Sequence, residues 1–191
     1  MSDAAKWDAR YRAAAVGDGE PVRVLRDYAH LLPAHGTALD LACGLGANAL
    51  LLAAQSLDTC AWDIAAVAVD KLNAYARGHD LPLHAEVRDL TQHNLPEHHF
   101  DVIVVSRYLE RRLCPAIAAA LKPGGLLYYQ TWTRARVGDH GPGNPAFRLA
   151  RNELLQLFSG LDVIAYREED SMGDTARGLR GEAYLVAQRP A

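Results

Sequence analysis

The sequence has few cysteines, little net charge and no long apolar run. Its three cysteines, Cys43, Cys60 and Cys114, are odd in number and lack C-x-x-C spacing, so neither a disulfide framework nor a zinc site is predicted. The formal net charge of −3 argues against a nucleic-acid partner, because such proteins usually present a basic face. The polar start MSDAAKWDARYR lacks the apolar core of a signal peptide. The sequence has no run of about 18 apolar residues that could span a membrane, so a cytoplasmic protein is expected.

Histidines are more numerous, but their pattern does not predict a metal site. His93, His98 and His99 lie close together before a predicted strand. No carboxylate or cysteine accompanies them at a regular ligand spacing, so solvated loop histidines are expected and a bound metal is not. What remains is an ordinary globular composition, with 50% hydrophobic and 23% charged residues.

Apolar strands alternate with helical segments along most of the chain. Strands are predicted at 37–42, 58–63, 83–87, 101–105 and 126–130, and helices at 3–15, 22–32, 47–54, 65–78, 110–121 and 151–158. This alternation is typical of an α/β fold with one doubly wound, mostly parallel, Rossmann-like sheet of about seven strands and helices on both faces. Segments 161–168 and 182–188 have no helix between them, so they are expected to form a C-terminal antiparallel hairpin.

The stretch ALDLACGLGAN, residues 38–48, is the most informative part of the chain. A short apolar strand containing Asp40 runs into a turn with Gly44 and Gly46, and an alanine- and leucine-rich helix follows at once. This order builds a nucleotide-sized crevice at the carboxyl end of a parallel sheet. Asp63 ends the next predicted strand and is placed to accept hydrogen bonds from ribose hydroxyls.

The glycine spacing leaves the ligand open between two cofactor classes. Gly44, Gly46 and Ala49 also fit the dinucleotide fingerprint G-x-G-x-x-G/A, and Asp63 lies near the expected distance for its ribose acid. Against a pyrophosphate stands Asp40, because a carboxylate would repel phosphates and suits an ammonium group instead. The chain is also too short for a second full catalytic domain, since one nucleotide-binding domain takes about 150 residues.

Five motifs in order carry a resemblance to a known family. They are ALDLACGLGAN, AWDIA, VRDL, FDVIVVSRYLE and LKPGGLLYY, spread over residues 37–132. Together they resemble class I S-adenosylmethionine-dependent methyltransferases, and C-G-x-G-x-N followed by A-W-D is similar to the tellurite-resistance and thiopurine-type branch, which methylates small soft nucleophiles. Residues 141–168 look like the loop, helix and strand of that branch. Ala47 departs from it, because family members often carry Arg there.

The resemblance implies a site for S-adenosylmethionine, with S-adenosylhomocysteine as product. Backbone carbonyls around Ala42 and Gly44, with Asp40, would receive the ammonium, while Asp63 would take the ribose hydroxyls. The implied cofactor-binding residues are Asp40, Ala42, Gly44, Gly46, Asn48, Asp63, Ile64, Asp89, Leu90, Ser106, Trp7 and Tyr11. Each acid also has a purely structural interpretation: a cap or turn for Asp40, a helix N-cap for Asp63 and a turn aspartate for Asp89.

The acceptor side is predicted after the fourth strand and under a loop. Tyr108 and Arg107 would position a small acceptor, and Trp132 would form one wall of its pocket. In the loop, Phe147 and Arg148 are candidates to close over it. The leading hypothesis is in-line methyl transfer to a thiol or a tellurite-like oxyanion, and the alternatives are a nicotinamide-dependent oxidoreductase and a non-catalytic S-adenosylmethionine-binding module.

The chain is expected to form a single methyltransferase domain. It would comprise an N-terminal helical cap (1–35), a cofactor-binding core (37–132), a lid loop (133–150) and a C-terminal helix and hairpin (151–191). A small-molecule acceptor is the only partner predicted, without nucleic acid or membrane, and the oligomeric state is left open.

Overall fold

The structure, a computed structural model, describes residues 2–92 and 94–191, and in these it shows a seven-stranded sheet flanked by helices. His93 lies outside the described residues. The strands are β1 (Thr37–Leu41), β2 (Asp58–Asp63), β3 (Leu83–Val87), β4 (Phe100–Ser106), β5 (Leu121–Trp132), β6 (Asp162–Glu168) and β7 (Glu182–Gln188). The α-helices are α1 (Asp3–Tyr11), α2 (Arg23–Asp27), α3 (Ala47–Ala54), α4 (Ala66–Gly78), α5 (Cys114–Ala120) and α6 (Glu153–Leu157).

The strand order confirms the predicted fold class. Across the sheet the order is β3-β2-β1-β4-β5-β7-β6. Strands β1 to β5 pair in parallel, whereas β7 is antiparallel to both β5 and β6, which makes the expected C-terminal hairpin. The order reverses between β1 and β4, and in open α/β sheets ligands bind at the carboxyl ends of the strands beside such a switch point.

Alternating side chains of the central strands fill a separate core on each face. On one face Leu39, Ile103 and Leu127 pack with residues of α5 and α6. On the other, Ala38, Val102 and Leu126 pack with residues of α2 and α3. Because both faces are buried, β1 and β4 are apolar along nearly their whole length, and buried Asp40 stands out as the exception.

Two N-terminal helices are shorter than the sequence predicted. The helix predicted over 3–15 ends at Tyr11, because the carbonyls of Tyr11, Arg12 and Ala14 converge on the ammonium of Lys71 at 2.7–2.9 Å instead of continuing the helix. The helix predicted over 22–32 is interrupted at Tyr28, where φ is −116°, and continues as a 3-10 turn. The Tyr128 hydroxyl, reaching from the sheet, donates to the Tyr28 carbonyl at 3.2 Å.

Strand β5 is longer than predicted and includes the Lys-Pro-Gly-Gly turn. The Gly124 amide donates to the Arg189 carbonyl and the Arg189 amide donates to the Gly125 carbonyl, each at 2.9 Å. These bonds extend the sheet beyond the apolar run that marked the strand. The segments predicted as helices over 110–121 and 151–158 are correspondingly shorter, since the first opens with a 3-10 turn and Asn152 takes a left-handed conformation before α6.

Candidate active site

Asp40 and Asn48 join the first strand to the glycine turn. Asp40 lies on β1 with no solvent exposure, and its carboxylate accepts the Ala49 amide and the Asn48 side-chain amide at 3.1 and 3.2 Å. Asn48 Nδ2 also donates to Ser106 Oγ at 3.1 Å, and its Oδ1 accepts the Val22 amide at 2.8 Å. Asn48 was predicted to bind cofactor. In the structure its polar side-chain atoms hold β1, β4 and the segment before α2 together.

The Asp40 carboxyl is electrostatically unusual. Burial raises its pKa to about 7, the hydrogen bonds from Asn48 and Ala49 oppose that rise, and the charge of Asp63 adds to it. Every donor that the structure gives this carboxylate is neutral. A positively charged group nearby would therefore favour its ionised form.

Asp63 accepts a hydrogen bond from an amide of the glycine turn. Its Oδ2 accepts the Gly44 amide at 2.7 Å, and its Oδ1 accepts the Ala65 amide at 2.9 Å, just before α4. Burial raises the pKa of Asp63, and the backbone hydrogen bonds partly offset the rise. The alternative helix-capping role is thus present in the geometry, and the same carboxylate also fixes the turn.

Helix α1 lies over this turn. A Cβ built on Gly44 would stand 2.7 Å from the Tyr11 hydroxyl oxygen, so only a glycine allows the ring this close. Burial, followed by the charge of Asp63, raises the pKa of Tyr11. Trp7 stacks on Tyr11 with ring centroids 5.8 Å apart, which places both predicted aromatic residues at the glycine turn.

The contacts that hold α1 in place were not predicted from the sequence. Asp8 Oδ1 accepts the Val67 amide at 2.9 Å and so caps the first turn of α4 from a distant segment. The ammonium of Lys71, one turn further along α4, donates hydrogen bonds to the three carbonyls at the end of α1. The only hint in the sequence was that Ala65, which precedes α4, has no side chain able to cap it.

Two non-glycine residues with left-handed backbone follow the neighbouring strands β1 and β4. Ala42 and Arg107 both have φ of +55°. Gly46, at φ +77°, is the N-cap of α3 and packs so closely on Leu72 that a Cβ would stand 2.4 Å from that side chain. Strained backbone of this kind concentrates at functional sites, where the surrounding structure holds it.

The residues predicted to contact adenine lie after β2 and β3. Ile64 is partly exposed directly after β2, and Leu90 is buried in the core that contains Trp62. Asp89 accepts the Thr91 amide at 2.9 Å and the Gln92 side-chain amide at 2.8 Å, the geometry of a turn aspartate. The charges of Asp89 and Asp63 both raise the pKa of Tyr108, so all three belong to one edge of the sheet.

Arg107 and Trp132 meet beside that edge, and Tyr108 directly follows Arg107 in the chain. The Arg107 guanidinium carbon lies 5.7 Å from the Trp132 ring centroid, and its Nε is 3.6 Å from Glu182 Oε1. Burial, with the neighbouring acid Glu110, raises the pKa of Tyr108 to about 12. Glu182 was not expected from the sequence, because only the pairing of β5 with β7 brings it opposite Trp132.

The loop predicted as a lid is fastened by two arginines. Arg148 is 2% exposed, and its guanidinium donates to the carbonyls of Thr133, His140 and Pro142 at 2.5–2.8 Å, so it organises the loop from within. Phe147, in contrast, is 54% exposed. The loop presses on Trp132, since a Cβ on Gly141 would stand 2.5 Å from the indole.

The second arginine, Arg111, ties the loop to the end of β4. It makes a paired contact with Glu153 at 2.6 and 3.0 Å and donates to the carbonyls of Ala146 and Arg148 at 2.6 and 2.9 Å. Neither Arg111 nor Glu153 was expected from the sequence to have a role. Their partners lie far apart along the chain, and no spacing rule brings them together.

The hydrogen bonds of the glycine turn distinguish between the two cofactor classes. In a dinucleotide site the amides at the glycine turn and helix start face a pyrophosphate. Here the Gly44 amide is bound to Asp63 and the Ala49 amide to Asp40, so carboxylates stand where phosphate would be bound. Two buried carboxylates, whose donors are all neutral, suit a ligand that brings an ammonium, a sulfonium and ribose hydroxyls.

Comparison with protein families agrees with this geometry. A family model described as a methyltransferase domain matches residues 38–125. Over that range, the chain is similar to the methyltransferase-domain family. The resemblance to class I S-adenosylmethionine-dependent methyltransferases is confirmed, and S-adenosylmethionine is the cofactor of this domain.

A curated relative is similar to this chain over a longer stretch. Hemagglutinin 1 from Eikenella corrodens is 32% identical over 138 residues, which are 68% of this chain and 45% of that protein. The chain therefore spans less than half the length of this curated relative.

Several solved structures show the same fold over nearly all of this chain, among them the following two. TehB from Haemophilus influenzae matches with a TM-score of 0.71 at 20% identity, over 96% of this chain and 67% of its own. The geranyl diphosphate C-methyltransferase from Streptomyces coelicolor A3(2), in complex with Mg²⁺, geranyl diphosphate and S-adenosylhomocysteine, matches with a TM-score of 0.69 at 17% identity, over 97% and 96%.

Metal-ligand clusters and membrane-crossing helices are both absent from the described part of the chain. In residues 2–92 and 94–191, no three histidine, cysteine or acidic side chains come together as a metal-ligand group. Within the same residues no helix has both the length and the apolar character that a membrane crossing requires.

Proposed function

We propose that this methyltransferase domain transfers a methyl group from S-adenosylmethionine to a small acceptor with a soft nucleophile, such as a thiol or a tellurite-like oxyanion. The observation that carries the cofactor half is the pair of buried carboxylates, Asp40 and Asp63, that take up the amides of the glycine turn. The acceptor half rests on Arg107 and Tyr108, which follow β4 on the same edge. The fold likeness to TehB is compatible with such an acceptor.

The residues divide the work by position. Asp63 would accept the ribose hydroxyls, Asp40 and the carbonyls near Ala42 would face the ammonium, and Tyr11 would close the turn from above. When bound, the cofactor supplies an activated methyl group, so the chain needs to align the acceptor and exclude water. A soft anion needs no general base, and for such an acceptor Tyr108 serves as a wall and positioning group.

Location and organisation belong to the same proposal. We infer a cytoplasmic protein that acts as a single methyltransferase domain on a small molecule and engages neither nucleic acid nor membrane. The modest net charge of −3 supports the absence of a nucleic-acid substrate.

The first experiment is calorimetric titration with S-adenosylhomocysteine and, in parallel, with reduced nicotinamide cofactor. Micromolar binding of the former alone is the expected result, followed by an acceptor screen that starts with thiols and tellurite. Binding of the nicotinamide alone would refute the proposal. Tight S-adenosylhomocysteine binding without methylation of any small acceptor would instead favour a non-catalytic binding module.

One substitution tests the cofactor site directly. Asp63→Ala should weaken S-adenosylhomocysteine binding by on the order of 2–3 kcal/mol, roughly 30- to 150-fold, because the ribose hydroxyls lose a charged acceptor. Asp58→Ala, at the exposed start of the same strand, is the matched control and should leave the dissociation constant unchanged. Equal affinities of wild type and Asp63→Ala would remove Asp63 from the site.

A further inference from the structure

The backbone of Arg107 is held in a costly conformation at the acceptor edge. Its φ of +55° lies in the left-handed region, which arginine seldom adopts. Its amide donates to the Gln130 carbonyl at 2.8 Å, so the neighbouring strand fixes the residue directly after β4. The structure thus sets the direction in which the side chain leaves the sheet.

A chain of contacts then fixes the side chain. Glu182, with its side chain 10% exposed, lies 3.6 Å from the Arg107 Nε and accepts the side-chain amide of Gln130. Gln130 is itself held, because its Oε1 accepts the Val24 amide at 2.9 Å. Trp132 lies beneath the guanidinium, where a cation and an indole face attract each other.

This arrangement leaves most of the guanidinium available. The Arg107 side chain is 66% exposed although its carboxylate partner is nearly buried. Within the described residues, the Nε atom of the Arg107 guanidinium makes the ion pair with Glu182. The planar fork formed by the two Nη atoms matches a carboxylate or another oxyanion in two parallel hydrogen bonds.

The surroundings make this positive charge distinctive. Asp63, Asp89 and Glu110 act on the adjacent Tyr108, and Arg148, the other cation beside Trp132, has its guanidinium bound to three loop carbonyls. Acidic surroundings repel an anion, and recognition of one here depends on a cation held in a fixed place.

We propose that Arg107 forms a subsite for a negatively charged group of the acceptor and that Glu182 is the positioning residue that orients it. This inference rests on the proposed function and narrows it to small acceptors that carry an oxyanion or carboxylate. Glu182 touches neither acceptor nor cofactor and acts through the guanidinium.

A matched pair of probes tests the subsite without turnover. Protein saturated with S-adenosylhomocysteine is titrated with 4-mercaptobenzoate and with its amide, 4-mercaptobenzamide, by calorimetry. We expect the acid to bind about tenfold more tightly, because a hydrogen bond to a charged group contributes about 1.5 kcal/mol or more. Equal affinity for the two probes, or binding of neither, would overturn the subsite.

Three variants separate the roles of the residues. Arg107→Met should abolish the preference for the acid, and Arg112→Met, an exposed arginine nearby, should preserve it. Glu182→Gln, which keeps a hydrogen-bonding partner for Gln130, should reduce the preference to roughly threefold as the guanidinium loses its fixed direction. An unchanged preference in Glu182→Gln would refute the positioning role.

The cofactor affinity distinguishes this inference from the proposed function. S-adenosylhomocysteine should bind wild type and all three variants equally, since none of these side chains touches Asp40 or Asp63. If the wild type binds no S-adenosylhomocysteine, the proposed function fails as well. If it binds the cofactor product but shows no acid preference, only the anion subsite fails.

Discussion

Single residues in this site have two tasks that cannot be separated. Asp63 fixes the Gly44 and Ala65 amides and is also the acid proposed to hold ribose. Asn48 occupies its side-chain amide with Asp40, Ser106 and Val22. A substitution at either position therefore changes the shape of the crevice together with its chemistry, which is why each test needs a stability measurement beside the binding measurement.

Asp40 gives the stability of the domain a recognisable pH dependence. An acid whose pKa is higher in the folded chain binds more protons when folded, so the free energy of unfolding falls as pH rises between the two values. For Asp40 this window runs from its ordinary pKa of 3.8 to a folded-state pKa of about 7. At about 1.4 kcal/mol per pKa unit, the loss across the window is on the order of 4 kcal/mol.

The substitution Asp40→Asn isolates this effect. The difference in unfolding free energy between variant and wild type should shift in favour of the variant between pH 5 and pH 8, because only the wild type must bury a charge at the higher pH. Chemical denaturation at the two pH values measures it. Asp63 shifts in the same direction in both proteins and cancels. A difference that stays constant with pH would contradict the assignment.

At the scale of elements, α1 is attached to the domain by polar contacts more than by a core. None of its residues is fully buried. Asp8 and Lys71 supply directed bonds in place of apolar burial, and Trp7 and Tyr11 form one stacked surface over the glycine turn. Such an element opens at low free-energy cost, as expected for one that covers a ligand site.

Removing one of these bonds should loosen both the helix and the ligand. Asp8→Ala leaves the Val67 amide without its cap, which costs about 1 kcal/mol and should weaken S-adenosylhomocysteine binding roughly 3- to 10-fold. Hydrogen exchange at the first turn of α4 should quicken as well. Asp3→Ala removes another acid from the same helix without touching α4 and is the control. Identical behaviour of the two variants would show that α1 docking is independent of the Asp8 cap.

The lid loop differs from α1 in this respect. Arg148 binds three of its carbonyls from inside, and Arg111 ties it to Glu153. A segment rich in glycine and proline was predicted from sequence as an irregular lid, and no local rule could foresee that two arginine side chains would organise it. The edge proposed for the acceptor thus has a fastened loop beside it, whereas the glycine turn is covered by a loosely attached helix.

At the scale of the whole molecule, the features that the sequence predicted correctly are those that depend on residues close together in the chain. The run 38–48 identified a strand, a glycine turn and a helix, and β2, β3, α3 and β7 have the bounds expected. The partners of Arg107 and Asp8 could not be foreseen, because they depend on strand pairing and helix docking between distant segments. The predicted ends of elements that tertiary contacts shorten, such as α1, were wrong for the same reason.

Sheet position should govern the stability of individual strands. Strands β1, β4 and β5 are flanked on both sides and buried on both faces, whereas β6 is an edge strand that exposes Val163 and Ile164. Amides of β6 should therefore exchange with solvent faster than those of β7, which is also antiparallel but lies between two partners. Exchange followed by mass spectrometry or NMR checks this order. Equal protection of β6 and β7 would contradict it.

The buried acids at the glycine turn also bear on how the spent cofactor leaves. On the proposed function, the ligand arrives with a sulfonium and departs as a neutral thioether, so the crevice loses one positive charge while Asp40 and Asp63 remain. Attraction to the sulfonium, which favours the incoming species, is absent for the outgoing one, whereas attraction to the ammonium remains. The same two side chains that select the methyl donor thus lower the retention of its spent form, which favours renewal of the donor and limits inhibition by the product.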